Sequence, residues 1–244
     1  LPEILNEYTL LTGRSALPTK QSLGYCASTM YYAELEKNCD EEIYKVIDKH
    51  EKEGILIDNF WLASGYSSGE KDNLRYVFNW NYKRFPEPEK FFENMNARGI
   101  NVIPNLKPGI LKHHPYIDLF EKNDVFIKTP DGKAPYYGRW WGGDNLTDWR
   151  TVKFNIATIL GMGLSGCSNM GCDIGGFAGP APEAELLLRW LQNGIFQPRF
   201  CLNSANNDNT VTQPWMYEEN LPYIRAAYQL RYRLLPTLYS LMYE

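Results

Sequence analysis

Apolar and polar positions along the chain follow two periods in turn. In residues 40–54, DEEIYKVIDKHEKEG, the side chains Ile43, Val46, Ile47 and His50 recur at helical spacing, and Gly54 ends the run. The next segment, ILIDNFWL (55–62), is a short apolar run that predicts a buried strand. Residues 86–99, PEPEKFFENMNARG, repeat the arrangement: Pro88 suits a first helical turn, Phe91, Phe92 and Met95 form the apolar face, and Gly99 stops it. INVIPNL (100–106) follows as the next strand. Later, DWRTVKFNIATILGMG (148–163) hands over to LSGCSNMGCD (164–173), and PEAELLLRWLQNG (182–194) to IFQPRFC (195–201). SLGYCA (22–27) adds a strand near the start, and the final helix, residues 221–244, carries Leu, Tyr and Ile at the spacing of a core-facing stripe.

Helix-to-strand handovers with glycine junctions predict βα units and a parallel sheet. The chain is therefore expected to be α/β, with residues 1–244 forming a single catalytic-type domain. A (β/α)8 TIM barrel fits better than a doubly wound sheet, because polar residues gather at strand ends. The middle breaks the rhythm. Between Lys107 and Trp149 there is at most one short helix, in HPYIDLFEKN (114–123), and residues 124–148 are rich in Gly, Pro and aromatics. The recognisable strands, even with one more near residue 140, fall short of the eight that close a barrel.

Bulk properties narrow the function. A net charge of -4 argues against nucleic acid as a partner. Five cysteines without a close-spaced framework, and only three histidines, predict free thiols, no metal site and no cofactor. No apolar run approaches the ~20 residues of a membrane span. The opening LPEILNEYTL lacks a signal-peptide pattern, which favours the cytoplasm. Aromatics are unusually frequent, with 17 Tyr, 11 Phe and 7 Trp, and their densest cluster lies in loop-like sequence, where stacking on a ligand is the expected use.

Three carboxylates and one amide stand out. Asp58 lies inside an apolar strand, where an unpaired carboxylate is costly, so it must meet a partner or a polar ligand; its alternative is a structural Asp that caps a loop or pairs with an Arg. Asp173 follows a strand and precedes two glycines, which permit close backbone approach to a ligand but also suit an ordinary turn. Asp144, in YYGRWWGGDNLTDW (136–149), has an aromatic wall that could desolvate its carboxyl and raise its pKa, as a general acid requires; the alternative is an Asx-turn with Asn145. Asn145-Leu146-Thr147 is formally a glycosylation acceptor, set aside because of its place in this turn. Asn203 opens a run of small polar residues suited to hydroxyl recognition.

Taken together, YTLLTGRSALPTKQSLGY, ILIDNFWL, NWNYKRFPEPEKFFENMNARGINVIPNLKPGI, WGGDNLTDW, ILGMGLSGCSNMGCDIGGFAG and LRYRLLPTLYSLMYE resemble glycoside hydrolase family 31, the α-glucosidase and α-xylosidase family. The resemblance covers nearly the whole chain and implies a (β/α)8 catalytic module that hydrolyses terminal α-glycosidic bonds with retention. It implies Asp144 as the acid/base, Asp58 and Asp173 as binders of sugar hydroxyls, and Trp141 and Phe177 as walls of the subsite. Asn203 aligns where many members have a His.

The resemblance also exposes an absence. Family members carry a nucleophilic Asp in a W-x-D-x-N-E-like strand, and a binding Arg on the strand after it, before the W-x-G-D-N element. This chain contains neither, and GRWWGGDN reads as the start of that region joined to its end, a junction near residues 138–144. The expectation is a barrel lacking the region of strands 4 and 5, from an α-glucosidase-like enzyme lineage acting on small α-linked saccharides but inactive as written. A non-catalytic sugar-binding remnant and a non-functional fragment are the alternatives.

Overall fold

The computed structural model describes residues 2–14, 16–107, 109–126, 144–167 and 169–243. After helix α1 (Pro2–Thr12), strand β1 (Cys26–Thr29) leads through α2 (Met30–Glu34) and α3 (Cys39–Glu53) to β2 (Asn59–Leu62). Helix α4 (Pro88–Ala97) precedes β3 (Asn101–Pro104), and α5 (Ile117–Lys122) and α6 (Trp149–Leu164) precede β4 (Asp173–Ile174). The short β5 (Ala178–Gly179), α7 (Ala184–Gly194), β6 (Cys201–Leu202), β7 (Ala205–Asn206) and the long α8 (Leu221–Tyr243) complete the order.

One sheet has the order β3-β2-β1-β6-β4, with every pair parallel. The late strand β6 thus returns beside β1, as in a barrel rather than a doubly wound sheet. Among the described residues the sheet is three strands short of eight, and its unpaired edges are β3 and β4. The gap includes the place where the sequence predicts strands 4 and 5 to be missing. The extra strand considered near residue 140 and the junction at 138–143 lie outside the described residues.

Helices α3, α4, α6 and α7 coincide with their predicted runs. Gly54 ends α3 in the left-handed region, φ 64°, where a glycine is the least strained residue. The strands are shorter than the apolar runs that announce them. Pairing in ILIDNFWL begins only at Asn59, and in LSGCSNMGCD only at Asp173. The core sits between sheet and helices: Ile43, Val46, Ile47 and His50 of α3 are buried, as are Leu186, Leu187, Trp190 and Leu191 of α7. Each of the aliphatic side chains among them contributes about 1.5–3 kcal/mol when removed from water. Helix α6 is different. Only Val152 and Asn155 of its sixteen residues are buried, and Phe154 and Leu160 are 66% and 64% exposed.

His50 lies fully buried in the apolar interior. Its Nδ1 lies 2.9 Å from the Val46 carbonyl and therefore carries the proton, while Nε2 is buried without a partner. The ring packs edge-on against Trp215 at 4.6 Å. Burial holds its pKa down to about 4. The unfolded chain, with an ordinary His near about 6.5, then binds a proton that the folded chain refuses, so stability is full above that value and falls as pH drops towards about 4. We expect His50 to account for a loss of about 2 kcal/mol between pH 7 and pH 5. Urea unfolding of the wild type and of His50→Leu across that range checks this, and a pH slope equal in both would refute it.

Candidate active site

The C-terminal ends of the strands carry a cavity of about 290 Å³. Ser28 and Met30 line it from the end of β1, Trp61 and Ser64 from the end of β2, and Asn105 from the end of β3. Asp144, Phe177 and Asn203 complete it. Three of the residues singled out in the sequence therefore converge, at the end of the sheet where barrel enzymes place their chemistry. Asp144 itself is exposed at the rim. Of the two aromatics expected to wall it, Phe177 is present and Trp141 lies outside the described residues.

Asn145 sets this arrangement. Its Oδ1 and its carbonyl both accept from the Phe177 N–H, at 3.0 and 2.8 Å, and its Nδ2 donates to the Asp173 carbonyl at 3.1 Å. The loop bearing Asp144 is thereby bolted to the D-I-G-G-F loop. At Gly176, φ 87°, the two loops pass so closely that a Cβ would overlap Thr147. The side chain of Asn145 is buried and fully engaged, which is incompatible with glycosylation of the folded chain.

Asp173 lies one step from that cavity. Its carboxylate is buried, with Oδ1 2.8 Å from Arg199 Nη2 and Oδ2 accepting from Asn203 Nδ2 at 3.2 Å. Burial raises its pKa, and the Arg199 charge and the two hydrogen bonds oppose that rise. Arg199 in turn lies over the Trp61 ring, 5.1 Å from its centroid. Asp173, Arg199 and Trp61 line a second cavity of about 200 Å³, walled by Asn155 and Met162 of α6. Asp173 thus orients Asn203, which faces the first cavity with its buried Oδ1 unpartnered.

Asp58 requires a correction. It precedes β2 and so stands at the N-terminal end of the sheet, not the C-terminal end, and it lines neither cavity. Its Oδ2 accepts a short hydrogen bond from the Tyr232 hydroxyl, which also accepts from the Tyr25 N–H at 3.3 Å. Burial raises the pKa of Asp58, and the Tyr232 bond opposes it. The physical reason is register: pairing starts at Asn59, so the carboxylate falls just outside the ladder and is satisfied by α8. This is the structural alternative, with a tyrosine in place of the arginine.

Two residues of the site had no sequence signal of their own. Arg199 could have been found from register: it sits two positions before Cys201, which pairs with Asp173, so the two side chains share a face. Glu34, which lines the first cavity, is ion-paired with Arg75, a contact between distant segments. Among the described residues no group of three or more His, Cys, Asp or Glu is placed to hold a metal ion, and no helix is long and apolar enough to cross a membrane.

The position of Asp58 generates a prediction. Asp58→Asn and Tyr232→Phe should each lower stability, by about 1–3 kcal/mol, without altering saccharide binding, whereas Asn203→Ala should weaken that binding. Asn203→Ala also takes a donor from the buried Asp173 carboxylate and so lowers stability as well, which leaves saccharide titration followed by NMR, beside denaturation, as the readout that separates the positions. Loss of binding in Asp58→Asn at unchanged stability would return Asp58 to the site.

A family model described as the glycosyl hydrolases family 31 TIM-barrel domain matches residues 15–142 and 135–241. The probable glucan 1,3-alpha-glucosidase of Arabidopsis thaliana is 43% identical over 356 aligned residues, covering 99% of this chain and 37% of that protein. Neutral alpha-glucosidase C of Homo sapiens is 44% identical over 168 residues, 68% of this chain and 17% of that protein. A crystal structure of glucosidase II alpha subunit superposes with a TM-score of 0.82 at 22% identity, over 98% of this chain and 37% of the other. The chain spans little more than a third of the length of these relatives at most, and the 356-position alignment is longer than the 244-residue chain itself. With both halves matched by one family model and superposed on one barrel, the chain belongs to glycosyl hydrolase family 31, and it carries that family's TIM-barrel domain in part.

Proposed function

We propose that this chain is the catalytic module of an α-glucosidase-like hydrolase that cleaves terminal α-glucosidic bonds of small saccharides with retention, and that as written it binds sugar without turning it over. The observation that carries the reading is the convergence of Asp144, Phe177 and Asn203 on one cavity at the C-terminal ends of the strands. The names of its relatives, alpha-glucosidases and a glucan 1,3-alpha-glucosidase, support the substrate class.

In this reading the terminal sugar enters the first cavity. Phe177 offers an apolar face, Asn203 offers hydrogen bonds to hydroxyls, and Asp144 at the rim donates its proton to the departing glycosidic oxygen. Asp173 acts through Asn203 rather than on the sugar, since both its oxygens are engaged. Trp141 remains an assignment from the resemblance alone.

Retention needs a second carboxyl about 5–5.5 Å from the first, free to attack the anomeric carbon. Among the described residues, the two other carboxylates at the site are committed, Glu34 to Arg75 and Asp173 to Arg199. The family-model matches meet at residues 135–142, and the alignment with the Arabidopsis thaliana relative holds many positions with no counterpart here. Both support one absent internal segment, entering between β3 and β4, as the home of the missing group.

The test is hydrolysis of an aryl α-glucoside by the 244-residue chain, beside a version with the relative's segment inserted at the junction. We expect no turnover above background from the first. The second should be active and lose about 10²–10⁴-fold on Asp144→Asn. Turnover by the short chain that disappears in both Asp144→Asn and Glu34→Gln would overturn the claim of a missing nucleophile and give that role to Glu34. An inserted version that binds saccharide but remains inert would favour a sugar-binding module.

A further inference from the structure

We propose that a second pocket, beside the cavity that gathers Asp144, Phe177 and Asn203, takes the next ring of an α-linked saccharide, so that the ligand is a disaccharide or a longer chain. The inference rests on the functional reading above for the ring in the first cavity, and on the pocket's own side chains for the second ring. The pocket has a volume of about 470 Å³, a size in the range of about 300–1,000 Å³ usual for small-molecule sites. Thr29 lines it from the end of β1, Tyr31 and Glu34 from α2, and Asn206 and Thr210 from β7 and the turn after it. Met30, Glu34 and Ala205 line both spaces, so the two adjoin.

Asn206 is the residue that points to a ligand. It is only 7% exposed, and its Oδ1 is buried without a hydrogen-bond partner among the described residues. Its Nδ2 is committed, donating to Thr210 Oγ1 at 3.0 Å and to Thr212 Oγ1 at 3.2 Å. The Thr210 hydroxyl gives its own proton to Asp208 Oδ1 at 2.6 Å, so it can only accept from Asn206, and this fixes which way the amide points. The group left over is therefore an acceptor, and a buried acceptor without a donor is costly until one arrives. Asn203 presents the same feature beside the first cavity, with Nδ2 on Asp173 and Oδ1 unpartnered. Two adjoining spaces with one orphan acceptor each suit a chain of rings that carries hydroxyl donors.

The rest of the lining narrows the ligand class. None of the lining residues is Lys or Arg, so a phosphate or carboxylate finds no counter-charge in the wall. Tyr31, 42% exposed, offers an aromatic face, and Met30 and Leu35 add apolar contact. Apolar faces beside a few placed acceptors match the C–H face and the hydroxyls of a sugar. The walls are also tied together before any ligand enters. Thr29 Oγ1 and the Met30 N–H both donate to the Ser204 carbonyl, at 3.1 and 3.0 Å, and the Asn207 N–H donates to the Gly179 carbonyl at 3.0 Å. Little ordering is left for binding to impose.

The experiment titrates the 244-residue chain with methyl α-glucoside, which has one ring, and with the disaccharides nigerose (α-1,3-linked) and maltose (α-1,4-linked), following backbone amides by NMR. All three should shift the amides of Phe177 and Asn203. Only a disaccharide should also shift Tyr31, Asn206 and Thr210, and the better-bound of the two should bind about tenfold or more tightly than methyl α-glucoside. Tyr31→Ala and Asn206→Ala should each remove that gain and leave binding of methyl α-glucoside unchanged. The Tyr31 side chain is exposed, so its variant keeps the inference testable should Asn206→Ala unfold. Disaccharides that bind no tighter than methyl α-glucoside, shifts confined to the first cavity, or a gain untouched by Tyr31→Ala would overturn the second pocket and leave the first-cavity reading standing. Disaccharide shifts at Tyr31, Asn206 and Thr210 with none at Phe177 or Asn203 would support the pocket as a saccharide site and overturn the first-cavity reading. Binding of none of the three overturns both.

Discussion

Arg231 holds the partial barrel together at its base. From α8 its buried guanidinium donates to the carbonyls of Leu23, Ile195, Gln197 and Pro198, at 2.6–3.1 Å. These carbonyls precede β1 and β6, so a single side chain fixes where two neighbouring strands begin. Burial without an opposing carboxylate among these contacts lowers its pKa to about 10, and the ring of carbonyl dipoles is what makes a buried cation tolerable there. The next residue, Tyr232, ties Asp58 to the same rim. The fold thus spends its strongest polar contacts at the N-terminal ends of the strands and leaves the C-terminal ends to less completely satisfied groups such as Asn203. That division between a stabilising rim and a chemical rim is what a parallel barrel permits.

The chemical rim is organised by relay. Trp61 lines both cavities, with Arg199 lying across its ring. Arg199 neutralises Asp173, Asp173 orients Asn203, and Asn145 fixes the Phe177 loop against the loop that carries Asp144. Removing any one of these supports should move a side chain that meets the ligand without touching the ligand itself. The site's polar groups are therefore best regarded as one network beside the exposed Asp144, not as independent binders.

Much of this was legible beforehand. Helices α3, α4, α6 and α7 form where their runs of apolar positions and stops predict them. The barrel class followed from their alternation with apolar runs. Strand extent was less accessible, because ILIDNFWL is apolar throughout and periodicity cannot say which part of such a run enters the ladder. That ambiguity is what misplaced Asp58: the residue was seen to need a partner, but the partner is a tyrosine 174 positions away. Arg199 and the Glu34–Arg75 pair escaped for the same reason, since a contact made by folding leaves no local mark.

Gly24 packs so tightly against Asp58 that a Cβ there would overlap the carboxyl. Residues 24, 58 and 232 therefore form one mutational unit drawn from three remote parts of the chain. A methyl group at position 24 displaces the carboxyl from Tyr232, so its effect should resemble deletion of that bond, and a smaller side chain at position 58 should relieve it. The three positions are epistatic. In this structure the carboxyl at position 58 is held by steric fit and a phenol, at the base of the sheet and away from the cavity that gathers Asp144, Phe177 and Asn203.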